Sequence, residues 1–121
     1  METRVLIVDD SSSMRQMIRF TLSEEGCEVY EAENGKKAFD TLDTAEPELI
    51  ITDINMPEMN GIELIKEIRQ NKKYRFTPIV VLTTESEVQK QEEGKKAGAT
   101  AWLVKPFTPE GLMETVHRVV G

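Results

Sequence analysis

The sequence has one cysteine, one histidine and fewer basic than acidic side chains. Because Cys27 stands alone, an intrachain disulfide and a multi-cysteine zinc site are both excluded. The net charge of -7 argues against nucleic acid or an anionic membrane surface as the main partner, since both attract basic proteins. The one histidine, His117, falls in the last predicted helix, far from the acidic residues described below, so we do not expect it to be a ligand.

Long hydrophobic runs are also missing. The N-terminal apolar run at residues 5–8 is too short for the core of a signal peptide, and no segment approaches transmembrane length. We therefore expect a cytoplasmic protein with no membrane partner. The 121 residues, of which 39% are hydrophobic and 31% charged, fit one globular domain spanning 1–121.

What the sequence does contain is an alternation of short apolar runs with longer amphipathic stretches. The runs predict strands at 5–8, 28–32, 49–52, 78–82 and 101–104. The amphipathic stretches predict helices at 12–25, 35–43, 62–68, 87–97 and 112–120. In the second of these helices, Ala38, Phe39 and Leu42 are expected to face inward.

The strand–helix alternation predicts the fold class. Five such repeats imply a parallel sheet covered by helices on both faces, which is a doubly wound α/β, flavodoxin-like fold. The favoured strand order is 2-1-3-4-5, with the polar second strand at an edge.

Acidic residues stand where this topology predicts a ligand site. Ligands bind at the carboxyl ends of the strands where the strand order reverses, here between strands one and three. Strand one ends at Asp9 and Asp10, and strand three ends at Asp53. Three clustered carboxylates repel one another, and a hard cation such as Mg²⁺, with Mn²⁺ as a possible substitute, resolves the repulsion.

Strands four and five supply two further groups to the same edge of the sheet. Thr83 ends strand four with a hydroxyl, and Lys105 ends strand five with a cation that can bind phosphoryl oxygens. Carboxylates, a metal, a hydroxyl and a lysine suit phosphoryl transfer, in which catalysis is mostly positioning and charge neutralisation.

Four motifs carry a family resemblance over essentially the whole chain. They are D-D after strand one, D-I-N-M-P-E-M-N-G at the end of strand three, T-T-E-S after strand four and K-P-F after strand five. Together they resemble the receiver domains of two-component response regulators, most closely the stand-alone chemotaxis regulators of the CheY type.

The resemblance implies roles for the acidic residues. Asp53 would accept the phosphoryl group. Asp10, Asp53 and the backbone carbonyl of Asn55 would hold Mg²⁺, and Asp9 would act through a metal-bound water.

It also implies roles at the other strand ends. Thr83 and Lys105 would bind the phosphoryl oxygens, and the bond between Lys105 and Pro106 would be cis. Trp102 falls where the family usually has a switch aromatic, so it either rotates inward on activation or stays at the surface as an anchor for a partner.

The implied function is that of a phosphoacceptor switch rather than an enzyme with other substrates. A CheA-like sensor histidine kinase would phosphorylate Asp53, and the modified surface would then bind a flagellar motor switch component or another signalling protein. No output domain is expected unless the chain is a fragment of a larger regulator.

Three other interpretations remain possible at this point. A flavin-binding electron carrier shares the topology, but Asp9 and Asp10 would repel its phosphate. A phosphatase with an aspartyl nucleophile needs an Asp-x-Asp arrangement after strand one, which Asp9-Asp10-Ser11 lacks. A phosphorylation-independent binding module would not need the acidic, threonine and lysine set.

Overall fold

Strands and helices alternate along the residues that the computed structural model describes, which are 3–56, 59–84 and 89–120. The strands are Arg4–Val8 (β1), Glu28–Ala32 (β2), Leu49–Asp53 (β3), Ile79–Thr84 (β4) and Ala101–Lys105 (β5). The helices are Ser12–Glu24 (α1), Gly35–Ala45 (α2), Gly61–Gln70 (α3), Lys90–Ala97 (α4) and Pro109–Val120 (α5). The predicted alternation is confirmed.

The strands form one parallel sheet in the order β2-β1-β3-β4-β5, which confirms the predicted topology and the edge position of β2. Val8 lies beside Thr52, and Asp53 lies beside Leu82. Because the strands are parallel, their carboxyl ends meet at one edge of the sheet, which positions the residues that follow them.

Two apolar layers cover the two faces of the sheet. Alternate residues of β1 enter different layers: Leu6 and Val8 join one cluster, and Val5 and Ile7 join the other. The first cluster packs against α2 and α3, and the second packs against α1 and α5. A strand buried on both faces has a continuous apolar sequence, which explains the short runs in the sequence.

Two predicted details differ from the structure. Phe39 is 40% exposed, so its inward orientation was wrong. Gly35, Ala38, Leu42 and Ala45 form the buried stripe of α2, and Phe39 lies about 100° around the helix from Ala38. The helix predicted at 87–97 is observed from Lys90, and residues 87 and 88 lie outside the described part of the chain.

Side-chain caps define where two helices begin after the loops at the carboxyl edge. Ser11 Oγ accepts a hydrogen bond of 3.2 Å from the Met14 N–H at the start of α1. Asn60 and Glu63 form a reciprocal capping box at the start of α3. These caps satisfy backbone N–H groups that a helix start leaves unpaired, so the loops after β1 and β3 end at defined points.

A buried tyrosine in the loop between α3 and β4 makes a hydrogen bond to α2, and its contribution to stability can be tested. Tyr74 is 2% exposed, and its hydroxyl donates a hydrogen bond of 2.8 Å to the Leu42 carbonyl. We expect Tyr74→Phe to lower the free energy of unfolding by about 1 to 2 kcal/mol, because a buried acceptor loses its donor. Urea denaturation of both proteins measures this change.

The matched control is Tyr30→Phe. Tyr30 donates its hydrogen bond to Glu28 in an exposed position on β2. We expect this change to alter stability by less than about 0.5 kcal/mol, since water replaces the lost partner. Equal losses in the two variants would contradict a structural role for the Tyr74 hydroxyl.

Candidate functional site

Three aspartates meet at the carboxyl edge of the sheet. Asp9 and Asp10 follow β1, and Asp53 ends β3. One carboxylate oxygen of each lies within 4.8 Å of those of the other two. Asp9 is fully buried and Asp53 is nearly so, whereas Asp10 is exposed. The structure therefore brings together the three carboxylates that the sequence placed at this edge.

Lys105 bridges two of these carboxylates from the end of β5. Its Nζ atom lies 3.2 Å from Asp9 Oδ2 and 3.3 Å from Asp53 Oδ2. Burial disfavours the charged ammonium, but attraction to Asp53 and Asp9 outweighs burial, so the pKa of Lys105 lies above its ordinary value of 10.5. Lys105 is therefore a fixed cation at the site.

The surroundings of Asp53 shift its pKa. Burial, followed by repulsion from Asp9, raises the pKa of Asp53 above its ordinary value of 3.8. Lys105 and the Asn55 N–H, which donates to Asp53 Oδ1 at 3.4 Å, offset part of this rise. The ionised form of Asp53 is therefore less favoured than that of a free carboxyl group, and a further cation at the site would favour it.

Thr83 adds a hydroxyl at the end of β4. It is fully buried, one residue beyond the position that pairs with Asp53. Within the described ranges, its Oγ1 atom has no hydrogen-bond partner. A buried hydroxyl without a partner is costly, so this atom is suited to an acceptor brought by a ligand.

Oxygen donors dominate the site, and they fit a hard divalent cation. Mg²⁺ prefers oxygen ligands and needs only one or two carboxylates. The cluster of Asp9, Asp10 and Asp53 provides such ligands around an acid whose pKa is already raised by its neighbours. The donor set therefore matches the predicted metal, while the ligand role of the Asn55 carbonyl stays a prediction.

Two residues at the site were missed by sequence reasoning. Arg15 donates a hydrogen bond of 2.5 Å to the Asp9 carbonyl, and the sequence carries no signal for this contact. Gly61 packs so closely on β3 that a Cβ atom there would lie 2.5 Å from the Asp53 carbonyl oxygen. A glycine at the junction of a loop and a helix can indicate a close backbone approach, but the sequence did not show that the neighbour is the end of β3.

The remaining predicted residues lie on β5, directly after it, or on α5. The Lys105–Pro106 peptide bond is cis, as predicted. Trp102 is half-buried on β5 and packs against the apolar cluster on the α2 and α3 side of the sheet, which leaves its role as a switch a prediction. His117 is exposed on α5.

Comparison with known proteins identifies the family. Residues 5–117 match the family model described as the response regulator receiver domain. The chain belongs to the response regulator receiver family. Receiver domains bind Mg²⁺ at an acidic pocket, and this receiver domain has a cluster of Asp9, Asp10 and Asp53.

The receiver domain is similar to two chemotaxis proteins over nearly its whole length. It is 45% identical over 120 residues to the chemotaxis protein CheY1 of Helicobacter pylori, which covers 98% of this chain and 97% of the relative. It is 47% identical to the CheY homologue of Campylobacter jejuni, over 98% and 92% of the two chains. The receiver domain is thus homologous to CheY chemotaxis regulators and functions in two-component signalling.

A solved structure shows the same fold. The chemotaxis response regulator CheY4 of Vibrio cholerae superposes with a TM-score of 0.93 at 49% identity, covering 98% of this chain and 99% of that one. The flavin-carrier and phosphatase interpretations are therefore set aside. Among the described helices, none is long and apolar enough to cross a membrane.

Proposed function

We propose that this receiver domain accepts a phosphoryl group on Asp53 from a chemotaxis histidine kinase in an Mg²⁺-dependent reaction, and that the modification switches a protein-binding surface. The observation that carries the proposal is the contact of the Lys105 ammonium with both Asp53 and Asp9, within a cluster of three aspartates. This arrangement supplies carboxylate ligands for a cation together with a fixed positive charge beside Asp53.

Asp10 and Asp53, with the backbone carbonyl of Asn55, would hold the Mg²⁺, and Asp9 would contribute through a bound water. The bound ion supplies positive charge that neutralises phosphoryl oxygens during transfer. The exposure of Asp10 beside the buried Asp9 supports a cation that enters from solvent and keeps some of its waters.

The transfer itself uses groups of this chain. A carboxylate oxygen of Asp53 forms a bond to phosphorus as the bond between phosphorus and the donor breaks, and the electron pair of that bond leaves with the donor. Lys105 would bind the phosphoryl oxygens as a fixed charge. The buried hydroxyl of Thr83 would donate a hydrogen bond to one of them, which supplies its missing partner.

The response would be read by another protein. Phosphorylation adds negative charge at the carboxyl edge, and we propose that Thr83 and the surface around Trp102 respond to it. A flagellar motor switch component or another signalling protein in the cytoplasm would bind the altered surface. The likeness to CheY relatives supports a role in chemotaxis signalling.

Intact mass spectrometry after incubation with acetyl phosphate tests the proposal. We expect wild type to gain one phosphoryl group in the presence of MgCl₂ and none in EDTA, because the metal ligands are needed for charge neutralisation. Asp53→Asn should gain none in either condition. Thr83→Ala should still be modified, since Thr83 is proposed to bind the product group rather than to react.

Two results would contradict this function. An unmodified wild type with fresh donor and Mg²⁺ would favour a phosphorylation-independent binding module. A phosphoryl group on Asp53→Asn would move the acceptor to another residue, which peptide mapping would identify.

A further inference from the structure

Arg15 joins the end of β1 to β2 from a position in the first turns of α1. Its Nη1 atom donates a hydrogen bond of 2.5 Å to the backbone carbonyl of Asp9. Its Nε atom lies 3.1 Å from Glu31 Oε1 on β2. The Arg15 side chain is only 16% exposed, so one planar guanidinium holds both groups with little competition from water.

Glu31 is itself held by a second arginine. Arg19 Nη1 lies 2.5 Å from Glu31 Oε2, one turn farther along α1. The two oxygens of Glu31 therefore bind two different guanidinium groups. Among the described residues, Arg15 donates a hydrogen bond to the Asp9 carbonyl of the acid cluster as well as to Glu31. Within the same part of the chain, Arg19 contacts Glu31 but not the acid cluster.

The contact of Arg15 completes a set of restraints on Asp9. The Asp9 N–H donates to the Ala32 carbonyl at 3.1 Å, and the Ser11 N–H donates to Asp9 Oδ1 at 2.9 Å. Arg15 binds the remaining backbone group, the Asp9 carbonyl. That carbonyl belongs to the peptide plane that leads into Asp10, so fixing it limits the directions in which the Asp10 carboxylate can point.

We propose that Arg15 is a positioning residue for the metal-binding carboxylates, holding the Asp9–Asp10 turn in the shape that a divalent cation needs. The inference rests on the proposed function, in which these aspartates take part in binding Mg²⁺. Glu31 orients Arg15 through its Oε1 atom, whereas its Oε2 atom binds Arg19. The positioning contact is therefore the hydrogen bond from Arg15 to the Asp9 carbonyl, which Arg19 does not share.

Charge and positioning predict opposite results when Arg15 is removed. By charge alone, loss of a cation that contacts the Asp9 backbone strengthens the binding of another cation at the acid cluster. If Arg15 positions the Asp9–Asp10 turn, loss of its contacts weakens Mg²⁺ binding, because the aspartate carboxylates are no longer held in the arrangement that the ion needs. The sign of the change in Mg²⁺ affinity therefore separates the two roles.

The test is calorimetric titration of the folded, metal-free proteins with MgCl₂, without a phosphodonor. We expect Arg15→Met to raise the Kd for Mg²⁺ by about 10-fold, at the lower end of the effect of groups that orient metal ligands. Arg15→Lys keeps the charge but loses the two-armed bridge, and it should also raise the Kd. The matched control is Arg19→Met, which removes the same charge from the same helix and should change the Kd less than about 2-fold.

Amide hydrogen exchange in the metal-free state provides a second readout. The Asp10 and Ser11 amides should exchange faster in Arg15→Lys than in wild type or Arg19→Met, because the turn has lost a restraint. This measurement does not depend on metal or on phosphorylation. It therefore still decides the question if Arg15→Met fails to fold.

The outcomes separate this inference from the proposed function. Unchanged or tighter Mg²⁺ binding by both Arg15 variants, with unchanged exchange, would overturn the positioning role alone. Equal weakening in Arg15→Met and Arg19→Met would also overturn it, because charge loss on α1 would then explain both. A wild type that binds no Mg²⁺ would overturn the proposed function and this inference with it.

Discussion

Replacing Asp53 with asparagine should raise the free energy of unfolding of the metal-free protein by about 1 to 2 kcal/mol at neutral pH, although it removes the proposed phosphoacceptor. Burial and the neighbouring Asp9 raise the pKa of Asp53, so its ionised form destabilises the folded state. An amide has no charge to bury. Lys105 keeps its ion pair with Asp9 in the variant.

The pH dependence follows from the direction of this shift. The folded protein holds the Asp53 proton more tightly than the unfolded chain, so stability falls as the pH rises from 3.8 through the raised pKa. The advantage of Asp53→Asn should therefore be complete above that window and disappear as the pH falls towards 3.8. Urea denaturation in EDTA at several pH values measures both limits.

The effect of added Mg²⁺ and a control substitution at the surface make this test more specific. Saturating MgCl₂ should stabilise wild type more than Asp53→Asn, because the variant lacks one proposed ligand. Asp40 is exposed on α2, and Asp40→Asn should change stability by less than about 0.5 kcal/mol at any of these pH values. A destabilised Asp53→Asn at neutral pH would show that ion pairing of Asp53 outweighs its burial.

Gly61→Ala should lower the free energy of unfolding by about 3 kcal/mol and slow phosphorylation of Asp53. The added Cβ would lie 2.5 Å from the Asp53 carbonyl oxygen and 2.8 Å from Ile54 Cα. Both are backbone atoms, so α3 or the end of β3 must move, and overpacking of this kind typically costs about 1 to 3 kcal/mol. Because Asp53 belongs to the displaced segment, its carboxylate moves too.

Gly94→Ala is the matched control for Gly61→Ala. Gly94 is also a helical glycine, in α4, but a Cβ there meets no heavy atom of the described residues within 4 Å. Alanine should stabilise the helix by up to about 1 kcal/mol and leave phosphorylation unchanged. Denaturation curves and intact mass after timed exposure to acetyl phosphate measure the two effects. Normal stability of Gly61→Ala would contradict the close approach to β3.

The fold could be predicted because its signals are local and repeated. A parallel strand buried on both faces has an uninterrupted apolar sequence, as in Val5–Val8, and it stops where polar residues begin. The site could be predicted for the same reason. Asp9, Asp53 and Lys105 stand at or directly after strand ends, and the topology brings those ends together.

The rest depended on distances between elements that no local pattern encodes. Phe39 looked like a core residue by type, but its direction depends on how α2 rotates against the sheet. The bridge from Arg15 to the Asp9 carbonyl needs the spacing of β1 and β2, and the packing of Gly61 needs the path of a loop. Such contacts become visible only when neighbouring elements are in place.

The ion pair between Lys105 and Asp9 joins residues that are 96 positions apart in the chain. Closing so long a loop is entropically unfavourable until the intervening strands have paired, so this contact forms late in folding. On a ribosome, the three aspartates emerge well before the lysine that bridges two of them. The proposed competence to receive a phosphoryl group would therefore depend on completion of the sheet, which brings Lys105 to Asp9 and Asp53.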